Sequence, residues 1–400
     1  MREPVTVTGV GVVSPLNPDG DLERFWTRVC AGETAVGPVR SFDVSAYPFR
    51  VAAEVDRGSL RGERAAGDPA LVMADLAFER ALAHAGLAAG MVSPRRAGVV
   101  VGTVLGGTAS WERSLRAGAS DAPRPAAAPA QYSLRAAAAA LAEKAGFSGP
   151  VLTVSTACAS GTDAIGLAYR AVASGAADIM VAGGVDAVCE LSFSGFCALR
   201  ALTTDRVRPF SRNRNGLALG EGAAFLVVES ESAARRRGAR PVGRIAGYGA
   251  RNDAFHLTAP HREGRGLAAA AAAALRDGGC SADEVDYVSA HGTGTPYNDR
   301  METLALKSAL GARARSVSVS SVKGALGHAF GAAGAIEAAI CLLAIRDRIV
   351  PPTANLDEPD PECDLDFVPL RARGLAVRTA LSWSAGFGGQ NAALVIRGWS

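Results

Sequence analysis

The stretch that decides the fold is Val151-Leu-Thr-Val-Ser-Thr-Ala-Cys-Ala-Ser-Gly-Thr-Asp-Ala-Ile-Gly-Leu-Ala-Tyr-Arg-Ala-Val-Ala173. Four apolar or β-branched residues read as a short strand, Thr156-Ala157-Cys158 as a sharp turn, and the small residues from Ala159 onward as a helix. Cys158 then sits at a helix N-terminus, where unpaired N–H groups and the helix dipole favour an anion, so a cysteine there is expected to lose its proton more easily than a free one. A cysteine in an apolar stretch can equally be a buried hydrophobe, so other parts of the chain must choose between the two.

The same strand–turn–helix pattern returns at Val317-Ser-Val-Ser-Ser-Val-Lys-Gly-Ala-Leu-Gly-His-Ala-Phe-Gly-Ala-Ala-Gly. Two further pairs match in the same order: VTVTGVGVVSP near the start with VGRIAGYGARND from Val242, and GEGAAFLVVE from Gly220 with GGQNAALVIR from Gly388. Three ordered matches indicate two similar α/β halves, residues 1–240 and 241–400, each with buried strands covered by helices. Elsewhere, Asp68–Leu87 has helical spacing with Gly86 as a stop, Ala97–Gly102 reads as a buried strand, Tyr132–Ala145 as a helix, and Ala117–Gln131 as an exposed connection. The glycines of TVLGGT after that strand lack the P-loop lysine and the dinucleotide fingerprint, so this loop packs closely or lines a pocket. His84, on the first of these helices, reads as a surface or packing residue.

The repeat has a chemical consequence, because it sets the Cys158 turn opposite the turn holding Lys323 and His328. Another strand, Val285–Ala290, delivers His291 into AHGTGTPYND, so two of only five histidines are presented near one cysteine. Composition excludes several other classes. At 48% hydrophobic, 20% charged and net +3 over 400 residues, the chain is globular, with no basic stripe for nucleic acid. Seven scattered cysteines without CxxC or Cys/His spacing indicate reduced thiols and no metal site. The N-terminus lacks a signal-peptide core and no apolar run spans a bilayer, so a cytoplasmic location is expected.

With TACASG, HGTGTP, KGALGH and GFGG in this order and spacing, the chain resembles the β-ketoacyl-acyl carrier protein synthases of the thiolase-fold condensing enzymes. The resemblance covers nearly the whole chain. It implies a layered α-β-α-β-α fold of two pseudo-symmetric halves and a decarboxylative Claisen condensation. Cys158 matches the nucleophile that accepts an acyl group, and His291 and His328 match the pair acting on the malonyl thioester. Lys323 and Glu302 match family residues expected to pair and to orient the histidine turn. The backbone N–H groups of Cys158 and Phe387 match the oxyanion hole, Thr293 and Thr295 the hydroxyls that hold the phosphopantetheine arm. Phe387 also matches the acyl gate, and Leu105 and Phe196 match acyl-pocket residues.

The implied substrates ride on the phosphopantetheine arm of acyl carrier protein, with no bound cofactor. The implied assembly is a homodimer, or a heterodimer with a sister resembling a chain-length factor. NDRMET after HGTGTP is similar to ketosynthases of dissociated polyketide systems, with fatty-acid elongation as the alternative; a malonyl-ACP decarboxylase and a tunnel-forming partner subunit are further readings. A thiolase would carry a second cysteine near GFGGQN, and the Cys-His-Asn branch an asparagine in place of His328; neither is present. Departures from the family pattern fall at Ala385, Trp383, Gly324, Gln390 and the segment from Arg57 to Phe78. The first two put the pocket shape in question and the last the dimer face or acyl channel.

Overall fold

Ten strands form the main sheet of the computed structural model, which describes residues 3–59, 67–88, 90–119 and 132–399. In chain order they are β1 (Val5–Val13), β2 (Ala97–Gly102), β3 (Val151–Val154), β4 (Ile179–Asp186), β5 (Gly222–Ser230), β6 (Gly243–Asn252), β7 (Tyr287–Ser289), β8 (Ser318–Ser320), β9 (Thr379–Gly386) and β10 (Gln390–Arg397). Their spatial order is β3-β2-β4-β5-β1-β6-β10-β9-β7-β8. Read outward from the β1–β6 junction, the two arms have the same order and the same mixture of parallel and antiparallel pairs. The repeats in the sequence are therefore the two arms of one pseudo-symmetric sheet.

Six helices make the layers: α1 (Pro69–His84), α2 (Ala136–Ala145), α3 (Ser160–Ala173), α4 (Arg265–Asp277), α5 (Pro296–Leu310) and α6 (Ala333–Asp347). The central strands are apolar on both faces because helices cover both. Val100, Met180, Ala182, Leu226 and Leu394 share one core with α3 and α6, while Val99, Val101, Val181 and Val227 turn outward to α1 and α2. Leu381, Ala393 and Val395 turn outward to α4 and α5 on the other arm. The order across the molecule is helix, sheet arm, helix pair, sheet arm, helix, as the family resemblance implied.

The central helices α3 and α6 cross at glycines. A Cβ on Gly161 would lie 2.5 Å from the Gly331 carbonyl, and one on Gly334 would lie 2.0 Å from Thr162 Oγ1, so only hydrogen fits at either position. Four residues before each glycine, the chain passes through a left-handed kink, at Ala157 (φ +50°) and at Phe330 (φ +47°). These kinks turn each chain from its strand into its central helix.

The helix read from Asp68 begins at Pro69, with the Asp68 carboxylate capping the N–H groups of Ala70 and Leu71. His84 Nδ1 lies 3.2 Å from the Val10 carbonyl, against β1. The helix expected from Tyr132 starts at Ala136, because the Ser133 hydroxyl takes the Arg135 N–H and forms a turn first. A helix over Thr108–Ala119 runs into the expected connection at Ala117–Gln131; residues 120–131 lie outside the described residues, as do 60–66 of the departing segment. No helix among the described residues is long and apolar enough to cross a membrane.

Candidate active site

The nucleophile turn is held by its own hydroxyls. Ser160 Oγ donates to the Ala157 carbonyl at 2.6 Å and accepts the Thr156 N–H at 2.9 Å, fixing the kink that projects Cys158 from the start of α3. The thiol is 7% exposed. Burial pushes its pKa up to about 11, against the opposing pull of the Lys323 ammonium and the N–H groups of Phe387 and Cys158. The direction is opposite to the acidification expected at a helix end: loss of water around the sulfur outweighs the Lys323 charge and the two N–H groups. A Cβ on Gly386 would lie 3.0 Å from the Cys158 nitrogen, so a glycine lets the GFGG turn close on the nucleophile.

His291 follows β7, and the backbone of its turn is clamped by a buried carboxylate. Glu302 on α5 accepts N–H groups from His291 and from Gly292 at 2.7 Å, the Trp383 indole N–H at 2.6 Å and the Asn298 amide at 3.1 Å. Burial, reinforced by the neighbouring Asp299 carboxylate, raises the Glu302 pKa to about 7. Trp383 therefore supports the histidine turn from behind, and it is Ala385 that lines the cavity.

Glu302 does not form the ion pair expected with Lys323. The Lys323 ammonium binds Glu337 on α6, and both side chains are almost fully buried. The physical reason is reach: the oxygens of Glu302 are taken by four N–H donors, whereas α6 packs Glu337 directly against the lysine turn. Glu337 was missed from the sequence, although a lone carboxylate within the apolar run GAAGAIEAAICLLA is itself a signal that a buried cation lies nearby.

His328 is anchored through its backbone, its N–H donating to the Ala218 carbonyl at 2.8 Å and its carbonyl accepting from Gly220 at 2.9 Å. Its ring Nδ1 accepts the N–H of the kinked Phe330 at 3.2 Å. That bond assigns the ring proton to Nε2, so the nitrogen left for chemistry is an N–H donor. The imidazoles of His291 and His328 lie 5.2 Å apart at 83°. Burial first, and the Lys323 charge second, hold both pKa values well below 6.5, so both rings are neutral at physiological pH.

The sulfur and a nitrogen of each ring lie within 4.8 Å of one another. Cys-His-His is a possible zinc donor set, but the Phe330 N–H turns the free nitrogen of His328 into a donor rather than a lone pair.

These groups face a cavity of about 380 Å³ also lined by Thr293, Thr295, Phe196 and Phe387. The Thr293 and Thr295 hydroxyls are 2.9 Å apart. The Phe387 ring stacks on Phe196 at 5.5 Å, and Phe196 meets Phe330 edge-on at 5.8 Å, closing the cavity with aromatic rings. Leu105 is the exception among the expected residues. It does not line this cavity; its N–H is bound at 2.8 Å by Asp186, and its side chain packs in the apolar cluster that includes Phe193 and Phe330. Asp186 was another omission: fully buried, it also gathers the Thr103 hydroxyl at 2.8 Å and the N–H groups of Val104 and Gly331.

Residues 2–234 match the β-ketoacyl synthase N-terminal domain family and residues 242–357 its C-terminal domain. The tetracenomycin polyketide synthase ketoacyl synthase alpha subunit of Streptomyces glaucescens is 40% identical over 98% of this chain and 97% of its own. The oxytetracycline polyketide putative beta-ketoacyl synthase 1 of Streptomyces rimosus is 42% identical over 98% and 96%. The 3-oxoacyl-[acyl-carrier-protein] synthase 2 of Coxiella burnetii is 39% identical over 98% of each. Among solved structures, a type II ketosynthase bound to its acyl-carrier protein and a hexaketide superposes with a TM-score of 0.91 at 33% identity. The ishigamide ketosynthase/chain length factor superposes with 0.93 at 35% identity. Each covers the whole of both chains.

Proposed function

The chain belongs to the β-ketoacyl synthase family, and we propose that Cys158, His291 and His328 carry out the decarboxylative condensation of an enzyme-bound acyl group with malonyl-ACP, as the catalytic ketosynthase of type II polyketide elongation. The observation that carries this reading is the convergence of one sulfur and two neutral imidazoles on a cavity open to a thioester arm.

Loading exchanges one thioester for another. Cys158 Sγ attacks the acyl carbonyl, and the oxyanion that develops meets the N–H groups of Cys158 and Phe387. The arm's sulfur leaves with the proton the thiol gives up, so no net proton is consumed. The malonyl thioester then enters and loses carbon dioxide, leaving its electron pair as an enolate. His328 Nε2–H, with His291 beside it, hydrogen-bonds the enolate oxygen without bringing a full positive charge into the site. The enolate carbon attacks the acyl-cysteine, the cysteine leaves as thiolate, and it regains a proton from solvent.

Lys323 and Glu302 act through others, Lys323 by adding its charge to the burial that keeps the rings neutral and Glu302 by holding the His291 turn. Thr293 and Thr295 bind the phosphopantetheine arm, and Phe387, stacked on Phe196, gates the acyl pocket. Residues 1–240 form the half carrying the nucleophile and residues 241–400 the half carrying the histidines. Acyl carrier protein supplies both substrates, and no resident cofactor takes part. The exposed edge of β3, with Val151 39% and Leu152 46% accessible, suits pairing with a second copy or a chain-length-factor-like sister. Seven cysteines free of disulfides fit a cytoplasmic location.

Mass spectrometry of the protein mixed with acyl-carrier proteins tests the reading. Cys158→Ala is expected to abolish acyl loading and condensation, while His328→Ala retains measurable loading. Equal loading in both variants refutes these roles. A panel of fatty-acid and polyketide carriers separates the two elongation pathways, and an acyl-cysteine species eliminates the decarboxylase and the tunnel-forming subunit.

A further inference from the structure

Arg214 lies on the connection between β4 and β5, and its guanidinium reaches the carbonyls of Thr295 and Pro296, two residues that line the cavity. Its side chain is 6% exposed and ion-paired with Asp360. Nη1 donates to the Ser211 carbonyl at 2.8 Å, Nε to the Thr295 carbonyl at 3.3 Å and Nη2 to the Pro296 carbonyl at 3.2 Å. Thr295 is the cap residue of α5, and its carbonyl is only loosely held by the Asp299 N–H at 3.4 Å. The guanidinium therefore supplies donors to a turn whose own helix bonds are weak. Beside it, the Gly216 N–H donates to the Gly294 carbonyl at 3.1 Å, and buried Asp299 accepts the N–H groups of Phe210 at 2.7 Å and Gly294 at 3.2 Å. The segment around Arg214 is thus stitched along the back of the very turn that presents the Thr293 and Thr295 hydroxyls.

We propose that Arg214 is a positioning residue for the carrier-borne arm, presetting the Thr293–Thr295 turn so that a pantetheine thioester enters a formed mouth. The inference rests on the functional reading above and adds to it a residue that sets the apparent affinity for carrier-bound substrate. A fork of donors is needed because three carbonyls and a carboxylate are held at once, more acceptors than the three N–H groups of a lysine ammonium can serve.

Steady-state kinetics with malonyl-ACP, alongside iodoacetamide alkylation of Cys158, test it on Arg214→Ala, Arg214→Lys and Asp360→Asn. Loss of these bonds is expected to raise KM about tenfold in Arg214→Ala while kcat and the alkylation rate stay within about twofold, with Arg214→Lys between this variant and wild type. Should Arg214→Ala fail to fold, a severalfold rise in KM in Asp360→Asn, whose guanidinium is loosened but present, carries the same expectation. An unchanged KM in the folded variants, or a fall in kcat and alkylation with KM constant, overturns the proposal. A wild-type protein that accepts no acyl group from any carrier overturns instead the functional reading on which it rests.

Discussion

Replacing Lys323 by methionine should destabilise the protein by an amount that depends on pH in a calculable way. The ammonium and the Glu337 carboxylate are 3% and 2% exposed, so removing the lysine strands a buried carboxylate, a change that costs about 3–5 kcal/mol. Protonation offers Glu337 an escape, and its pKa already stands near 7 through burial, even with the lysine in place. An unfolded glutamate titrates near ~4.3, so supplying the proton costs about 5 kcal/mol at pH 8 and about 2 kcal/mol at pH 6. The sign follows from linkage: a carboxyl with a raised folded pKa favours the folded state at low pH, and that advantage is lost as pH rises through the folded value. Wild-type Glu337, titrating near 7, itself gains about 1.4 kcal/mol over this range while the variant gains about 2.7, so the penalty in Lys323→Met should shrink by about 1.4 kcal/mol in all between pH 8 and pH 6. Urea unfolding at the two pH values measures it, and the double variant Lys323→Met/Glu337→Gln should recover most of the loss because no charge is stranded. Activity should not return with stability, since both imidazoles and the thiol have lost the nearby positive charge. A penalty below about 1 kcal/mol at pH 8, the same penalty at both pH values, or a double variant no more stable than the single one would refute the reasoning.

With the Cys158 thiol raised to about 11, roughly one in a thousand is ionised at pH 8, and iodoacetamide alkylation should accelerate about tenfold per pH unit up to pH 10; a plateau by pH 8 would show an acidic thiol instead. Gly161→Ala forces a Cβ to 2.5 Å from the Gly331 carbonyl, where two central helices cannot part independently of their sheets, and should cost about 1–3 kcal/mol by thermal unfolding; a variant as stable as wild type would mean the crossing is looser than described.

Much of this was legible because the relevant signals are local. The buried strand Ala97–Gly102 and the cap at Asp68 lie in short windows of sequence, and the repeated strand–turn–helix reports the pseudo-symmetric sheet directly. The convergence of Cys158, His291 and His328 followed from where the strands end. What failed depended on contacts between distant elements. Lys323 has carboxylates on two helices within reach in principle, and only the packing of α6 selects Glu337 over Glu302. The proton affinity of Cys158 was read from the helix beneath it, whereas the protein around it decides the sign. Leu105, at the pocket position of the family pattern, packs in the same apolar cluster as Phe196 and Phe330 without itself lining the cavity, a placement that depends on Asp186, eighty-one residues later, holding its backbone.

The paired kinks at Ala157 and Phe330 bear on why the molecule is armed on one side only. Counting forward one residue from each reaches Cys158 in the first half and Gly331 in the second. A Cβ on Gly331 would lie 2.7 Å from Asp186 Oδ2 and 2.8 Å from Thr103 Cα, and its N–H is already held by Asp186. The second elbow has been spent on locking a tautomer, so a duplicate warhead cannot be installed there without dismantling the Asp186 knot that shapes its twin's surroundings.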